Sequence, residues 1–186
     1  MEIVLASQSP RRRQLLGMIT KDFSVKVSRV DEAAVTAESP ACLAEALARA
    51  KCLAVAEGCP DSLVIGSDTV VDCDGCVLGK PADKDEAKAM LHRLSGRSHL
   101  VHTGVCLAAA GRTDSFVHTS RVEFFPLTEE EIDAYVAGGD PMDKAGAYGI
   151  QGGAALFIKG IEGDFYSIMG LPVSELARHL RTFAAN

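Results

Sequence analysis

The chain has 186 residues, is 47% hydrophobic and carries a formal net charge of -6. That length and apolar content suffice for one well-packed core, so a single α/β domain over 1–186 is expected. The acidic balance argues against a nucleic-acid partner, no apolar run reaches membrane-spanning length, and the N-terminus reads as a strand rather than a signal peptide, so a soluble cytoplasmic protein is expected.

Taken in chain order, residues 2–6 read as an apolar strand. Ser9 is a good N-cap and Pro10 suits the first helical position, which predicts a helix over 10–18. Alternation of Phe23, Val25 and Val27 predicts a strand over 23–29, and Ser39-Pro40 opens a long amphipathic helix over 40–57. A buried strand over 63–67 follows, then a hairpin over 69–78 around Asp74-Gly75. A helix over 83–94 ends near Gly96; 99–109 and 115–125 alternate as paired strands; Thr128 caps a helix over 129–136. Residues 154–159 and 165–169 read as strands around Gly160 to Gly163, and a last helix runs from Pro172 to Phe183. The interleaving predicts a mixed sheet with flanking helices. The six cysteines read as free thiols, because the chain is not small and carries no export signal. Cys73-Asp-Gly-Cys76 reads as the flanks of the hairpin rather than as a metal or redox pair.

Arg11, Arg12 and Arg13 occupy the first turn of the first predicted helix. Cations belong at the other end of a helix, so three of them here point to a bound anion and to a polyphosphate cradle. Asp68, closing a buried apolar run, is expected at the C-terminal edge of a central strand, where α/β sheets bind ligands. Glu32 brings a second carboxylate to a sheet end. Lys51 in the long helix and Lys80 in the Gly79-Lys80-Pro81 loop add cations. Together these are the parts of a metal–triphosphate site. The glycine-dense stretch 138–153 lets backbone approach a ligand, and Gln151 there offers a donor and an acceptor for a base edge. No role is assigned to the histidines; His99 and His102 fall on opposite strand faces and make a poor ligand pair.

In this arrangement Ser7-x-Ser9-Pro10-Arg11-Arg12-x-x-Leu15-Leu16 resembles the N-terminal signature of the Maf family of nucleoside triphosphate pyrophosphatases. Gly66-x-Asp68-Thr69-Val70, Gly79-Lys80-Pro81, the run from Asp143 to Gly152, and Gly170-Leu171-Pro172 resemble the later family blocks in the same order. The resemblance implies a mixed sheet in two lobes around a deep cleft, like the inosine triphosphate pyrophosphatases. It implies hydrolysis of a nucleoside triphosphate to monophosphate and pyrophosphate, assisted by Mg²⁺ or Mn²⁺ on Glu32 and Asp68. It makes Asp68 the general base, and Ser7, Arg12, Glu32, Lys51 and Lys80 substrate-binding residues. Arg11, Thr69 and Gln151 correspond to positions tied to substrate choice, and Ala-Tyr-Gly-Ile-Gln-Gly resembles the branch acting on dTTP and UTP. A homodimer is compatible with all of this. Two other readings stay open: a housecleaning enzyme for modified nucleotides, and a nucleotide-binding regulator of division without turnover.

Overall fold

The computed structural model describes residues 1–185. β1 (Glu2–Leu5) leads into α1 (Pro10–Leu16), where the Ser9 hydroxyl accepts the Arg12 N–H at 3.4 Å. β2 (Ser24–Val25) pairs in parallel with the end of β1. It is much shorter than the predicted 23–29, because β1 stops at Leu5 and leaves nothing beyond for the chain to pair with. A 3-10 turn (Glu32–Ala34) precedes α2 (Pro40–Ala56), again capped by a serine, Ser39.

β3 (Ser62–Cys73) and β4 (Cys76–Leu78) form the hairpin, and Asp74 and Gly75 both take the positive φ values that a tight hairpin turn demands. After α3 (Lys84–Leu94), the long strands β5 (Ser98–Ala109) and β6 (Arg112–Phe124) pair along their whole length. α4 (Glu129–Ala137) begins with a reciprocal capping box between Thr128 and Glu131. Three 3-10 turns follow (Asp140–Asp143, Ala145–Ala147, Gly153–Phe157), then β7 (Ile158–Glu162), α5 (Phe165–Met169) and α6 (Val173–Ala185).

Two sequence expectations need correction here. Residues 165–169 form a helix, not a strand, because Asp164 caps it at the Tyr166 N–H and Gly170, at φ 119°, ends it. The expected strand over 154–159 is largely a 3-10 turn, and the strand itself starts at Ile158. A third difference bears on function. β3 does not stop before Asp68: β5 pairs with it without a break from Val64↔Ala108 to Asp72↔Leu100, so Asp68 lies in mid-strand.

The sheet is mixed and 7-stranded, in the order β2-β1-β3-β5-β6-β7 with β4 on β3. Only the β1 pairings with β2 and β3 are parallel. Val64, Gly66, Asp68 and Val70 share the face of β3 that α2 covers, as the two-residue period of a strand requires. Along the other face, Leu63 and Ile65 join a cluster with Leu15, Leu16 and Leu176, while Val71 and Cys73 join a second cluster with Leu91, Leu94 and Ile132. Ser67 and Thr69 lie between the two clusters on β3. These are the two lobes, and the break between them is polar.

α2 sits unusually close to the sheet. A Cβ at Gly66 would stand 2.4 Å from the Ala48 carbonyl oxygen, and one at Gly104 2.2 Å from that of Ala44. Both obstacles are backbone and cannot swing away. Gly66→Ala and Gly104→Ala are each expected to lower stability by about 2 kcal/mol or more, as overpacking does. Urea unfolding measures this, and an unchanged midpoint would contradict the packing.

His99 supplies a second stability prediction. It is 3% exposed, its Nε2 lies 2.7 Å from the Tyr148 hydroxyl, and Phe124 and Tyr148 pack edge-on against its ring. Burial pushes its pKa down from 6.5 to about 4. The unfolded chain therefore binds this proton more readily than the folded one. The stabilisation is complete above pH 6.5 and is lost as pH falls towards about 4, amounting in full to about 3 kcal/mol. His99→Gln is expected to flatten the dependence of unfolding free energy on pH in that window relative to the wild type.

Candidate active site

One open cleft of about 980 Å³ separates the lobes. Ser7, Arg11, Arg12, Glu32, Lys51, Asp68, Thr69, Lys80 and Gln151 all line it. The residues singled out in sequence thus meet in one place, although they come from four helices or turns, one strand and two loops.

At its centre, Lys51 Nζ lies 2.5 Å from Asp68 Oδ1 and 2.9 Å from Glu32 Oε1. The close approach of α2 is what brings the ammonium down onto mid-strand Asp68. Both side chains of the Lys51–Asp68 pair are almost wholly buried, whereas Glu32 is largely exposed. Two of the three donors of Lys51 are therefore committed to carboxylates.

Arg12 ties three elements together. Its Nε donates to the Gly170 carbonyl at 3.0 Å, and its terminal nitrogens donate to Thr69 Oγ1 at 3.2 Å and Ser7 Oγ at 3.4 Å. Burial lowers its pKa, opposed by the nearby Asp68 charge, yet a guanidinium stays protonated under any physiological condition. Thr69 also meets Thr103 at 3.0 Å, whose hydroxyl donates to the Ser167 carbonyl. α5, whose residues the sequence assigns to a strand, and the corner after it are thereby locked to the site through backbone carbonyls. α1 spans only seven residues, so the positive charge of this corner comes from its arginines rather than from a helix dipole.

Lys80 sits exposed in the loop after β4, which is anchored where Gly146 N–H donates to the Gly79 carbonyl at 3.0 Å. Gln151 is exposed at the far side of the cleft. Asp140, Asp143 and Lys144 also line the cleft and are not singled out as side chains in the sequence reading. The available signal was three charges in a stretch otherwise dominated by glycine. Lys144 holds the Asp143 carboxyl below its usual range. All six cysteines are free thiols, Cys73 and Cys76 among them. His99 and His102 have separate partners, as their opposite faces require.

A family model described as Maf-like protein matches residues 2–183. The chain belongs to the Maf family. Proteins described as dTTP/UTP pyrophosphatase from Bacillus cereus and Bacillus cytotoxicus are 47% and 49% identical to this Maf chain over 182 residues, 98% of it and 95% of each relative. Among solved structures, the Staphylococcus aureus Ham1 protein superposes with a TM-score of 0.59 at 17% identity, covering 98% of this chain and 99% of its own. A nucleoside-triphosphatase / dITP/XTP pyrophosphatase from Mycobacterium abscessus gives 0.50 at 13% identity, with 98% of each chain covered. These two likenesses are of fold. Among the described residues no helix is long and apolar enough to cross a membrane.

The buried Lys51–Asp68 pair yields a test. Lys51→Met leaves a buried carboxylate without its cation and is expected to cost about 3 kcal/mol of stability. Adding Asp68→Leu removes the orphaned charge and should recover most of that loss. A double variant no more stable than the single one would show that the pair is not the coupled unit.

Proposed function

We propose that this Maf chain hydrolyses dTTP and UTP to the monophosphate and pyrophosphate, by attack of water on the α-phosphorus. The observation that carries the proposal is the 2.5 Å contact of Lys51 with Asp68 on the wall of a cleft that also presents Arg11, Arg12 and Lys80. The names of relatives at 47–49% identity over 182 residues, dTTP/UTP pyrophosphatase, support the reaction and the pyrimidine substrates.

In this reading Lys51 holds Asp68 by Oδ1 and orients it. Oδ2 then takes the proton of the attacking water. Arg11, Arg12 and Lys80 receive the negative charge that develops on the pyrophosphate leaving group. Ser7, already hydrogen-bonded to Arg12, is the adjacent hydroxyl for a phosphate oxygen. Gln151 faces the base, with Thr69 and Arg11 shaping the passage between base and phosphates.

A divalent cation fits the residues present. Glu32 and Asp68 flank the Lys51 ammonium, which fills the point between them, so a cation would sit beside it on an outer oxygen of either carboxylate. An all-oxygen donor pair suits Mg²⁺ or Mn²⁺, which commonly bind through one or two carboxylates and take substrate phosphates and water as remaining ligands. When bound there, such an ion neutralises phosphate charge and makes water more acidic. The cytoplasm, where thiols stay reduced, is the compartment that suits six free cysteines.

Incubation with a panel of nucleoside triphosphates and Mg²⁺ or Mn²⁺, with products resolved, tests the assignment. The expected products are monophosphate and pyrophosphate, formed fastest from dTTP and UTP. Equal rates across the panel would favour a housecleaning enzyme, and tight binding without turnover a regulator. Asp68→Asn is expected to lower kcat by about a hundredfold or more, the contribution of a general base. Turnover near the wild-type level in a folded Asp68→Asn protein would remove Asp68 from that role.

A further inference from the structure

Lys144 lines the cleft, yet its ammonium is fully engaged elsewhere. It donates to the Asp140 carbonyl, to Asp140 Oδ1 at 3.2 Å and to Asp143 Oδ1 at 2.6 Å. An ammonium has three donors, so none remains for a phosphate. Its side chain is 11% exposed, with the stem under Gly149, where a Cβ would stand 2.7 Å from Lys144 Cε. The carboxylate of Asp140 occupies the matching place under Gly152, 2.3 Å from where a Cβ would stand. Tyr135, at the end of α4, closes the ring. Its hydroxyl accepts the Gly149 N–H at 3.3 Å, and burial together with the neighbouring Asp140 charge raises its pKa. Gly152 N–H in turn donates to the Gly149 carbonyl at 3.0 Å, so 149–152 is one tight turn. That turn carries Gln151.

We propose that Tyr135, Asp140 and Lys144 form a brace whose task is to fix the 149–152 turn and thereby set discrimination between uracil-type and cytosine bases. The proposal rests on the pyrimidine triphosphate reading above. An amide offers one donor and one acceptor, and by turning over it suits either uracil or cytosine. Discrimination therefore needs the neighbouring backbone N–H and C=O groups held in place, so that the wrong base leaves a polar group unpaired. All three brace members act through the turn and are positioning residues. Tyr135 does not itself line the cleft.

The test compares kcat and KM for UTP and CTP in the wild type, Tyr135→Phe and Asp140→Asn. Tyr135→Phe keeps the ring that packs edge-on against Phe157 and deletes only the hydroxyl. It is expected to reduce the UTP-to-CTP ratio of kcat/KM by about fivefold, the worth of one hydrogen bond of about 1 kcal/mol. The change should fall on KM, with kcat for UTP within about twofold. Asp140→Asn, which weakens both the Lys144 and Tyr135 contacts, should reduce the ratio further. A role in folding alone would lower the unfolding midpoint and leave the ratio unchanged. An unchanged ratio in both variants of a discriminating wild type overturns the brace alone. A wild type that does not distinguish UTP from CTP also overturns the brace while leaving hydrolysis of UTP standing, and a wild type that turns over neither overturns the pyrimidine reading.

Discussion

The site depends on how close one helix comes to one sheet. Gly66 on β3 and Gly104 on β5 face α2, and neither could carry even a methyl group without striking the helix backbone. At that separation a lysine on α2 reaches a carboxylate in the middle of a strand. The two glycines give up side-chain packing area, and in exchange the pair is buried at 2.5 Å with Glu32 capping it from outside.

The other face of β3 follows the same logic in polar form. Apolar residues at both ends of the strand build two separate cores, and Ser67 and Thr69 interrupt them. Each hydroxyl is satisfied within the protein: Ser67 bonds to the Gly104 and Gly170 carbonyls, and Thr69 to Arg12 and Thr103. Unpaired, these groups would destabilise the sheet at its centre. Paired, they fasten α1 and the α5–α6 corner to the strand that carries Asp68. The half of the cleft that carries Arg12 thus rests on supporting polar groups that are buried and bonded. The opposite half is a run of 3-10 turns packed on β3 at Val71 and tied together by ion pairs to Lys144.

Much of this was legible in the residues, for identifiable reasons. Helices announced by Ser-Pro or by a capping box started where expected, since a cap is a local hydrogen bond that needs no tertiary context. The Asp74-Gly75 turn was equally local. The expected site residues also converge on one cleft: the three arginines and the glycine-dense stretch stood out as clusters, whereas the roles of Ser7, Lys51 and Thr69 came from the resemblance to the family motifs. What was not legible was non-local. That β3 continues through Asp68 depends on β5 lying alongside it. That β2 is so short depends on where β1 ends. Residues 165–169 alternate well enough for a strand, and only Asp164 and Gly170 at their ends make them a helix. Tyr135 carried no local signal and Lys144 only that of a charge among glycines, since their importance lies in what they touch across the turn.

In the proposed reading Asp68 directs water to the α-phosphorus and the arginines take the pyrophosphate, so the bond that breaks should be the one between the α- and β-phosphates with oxygen added on the α side. Hydrolysis of UTP in water labelled with heavy oxygen, followed by mass spectrometry of both products, tests this most directly. Label is expected in the monophosphate, with unlabelled pyrophosphate. Label in the pyrophosphate would mean attack at the β-phosphorus, and release of labelled inorganic phosphate would mean attack at the γ-phosphorus. Either result would contradict Asp68 as the base that directs water to the α-phosphorus.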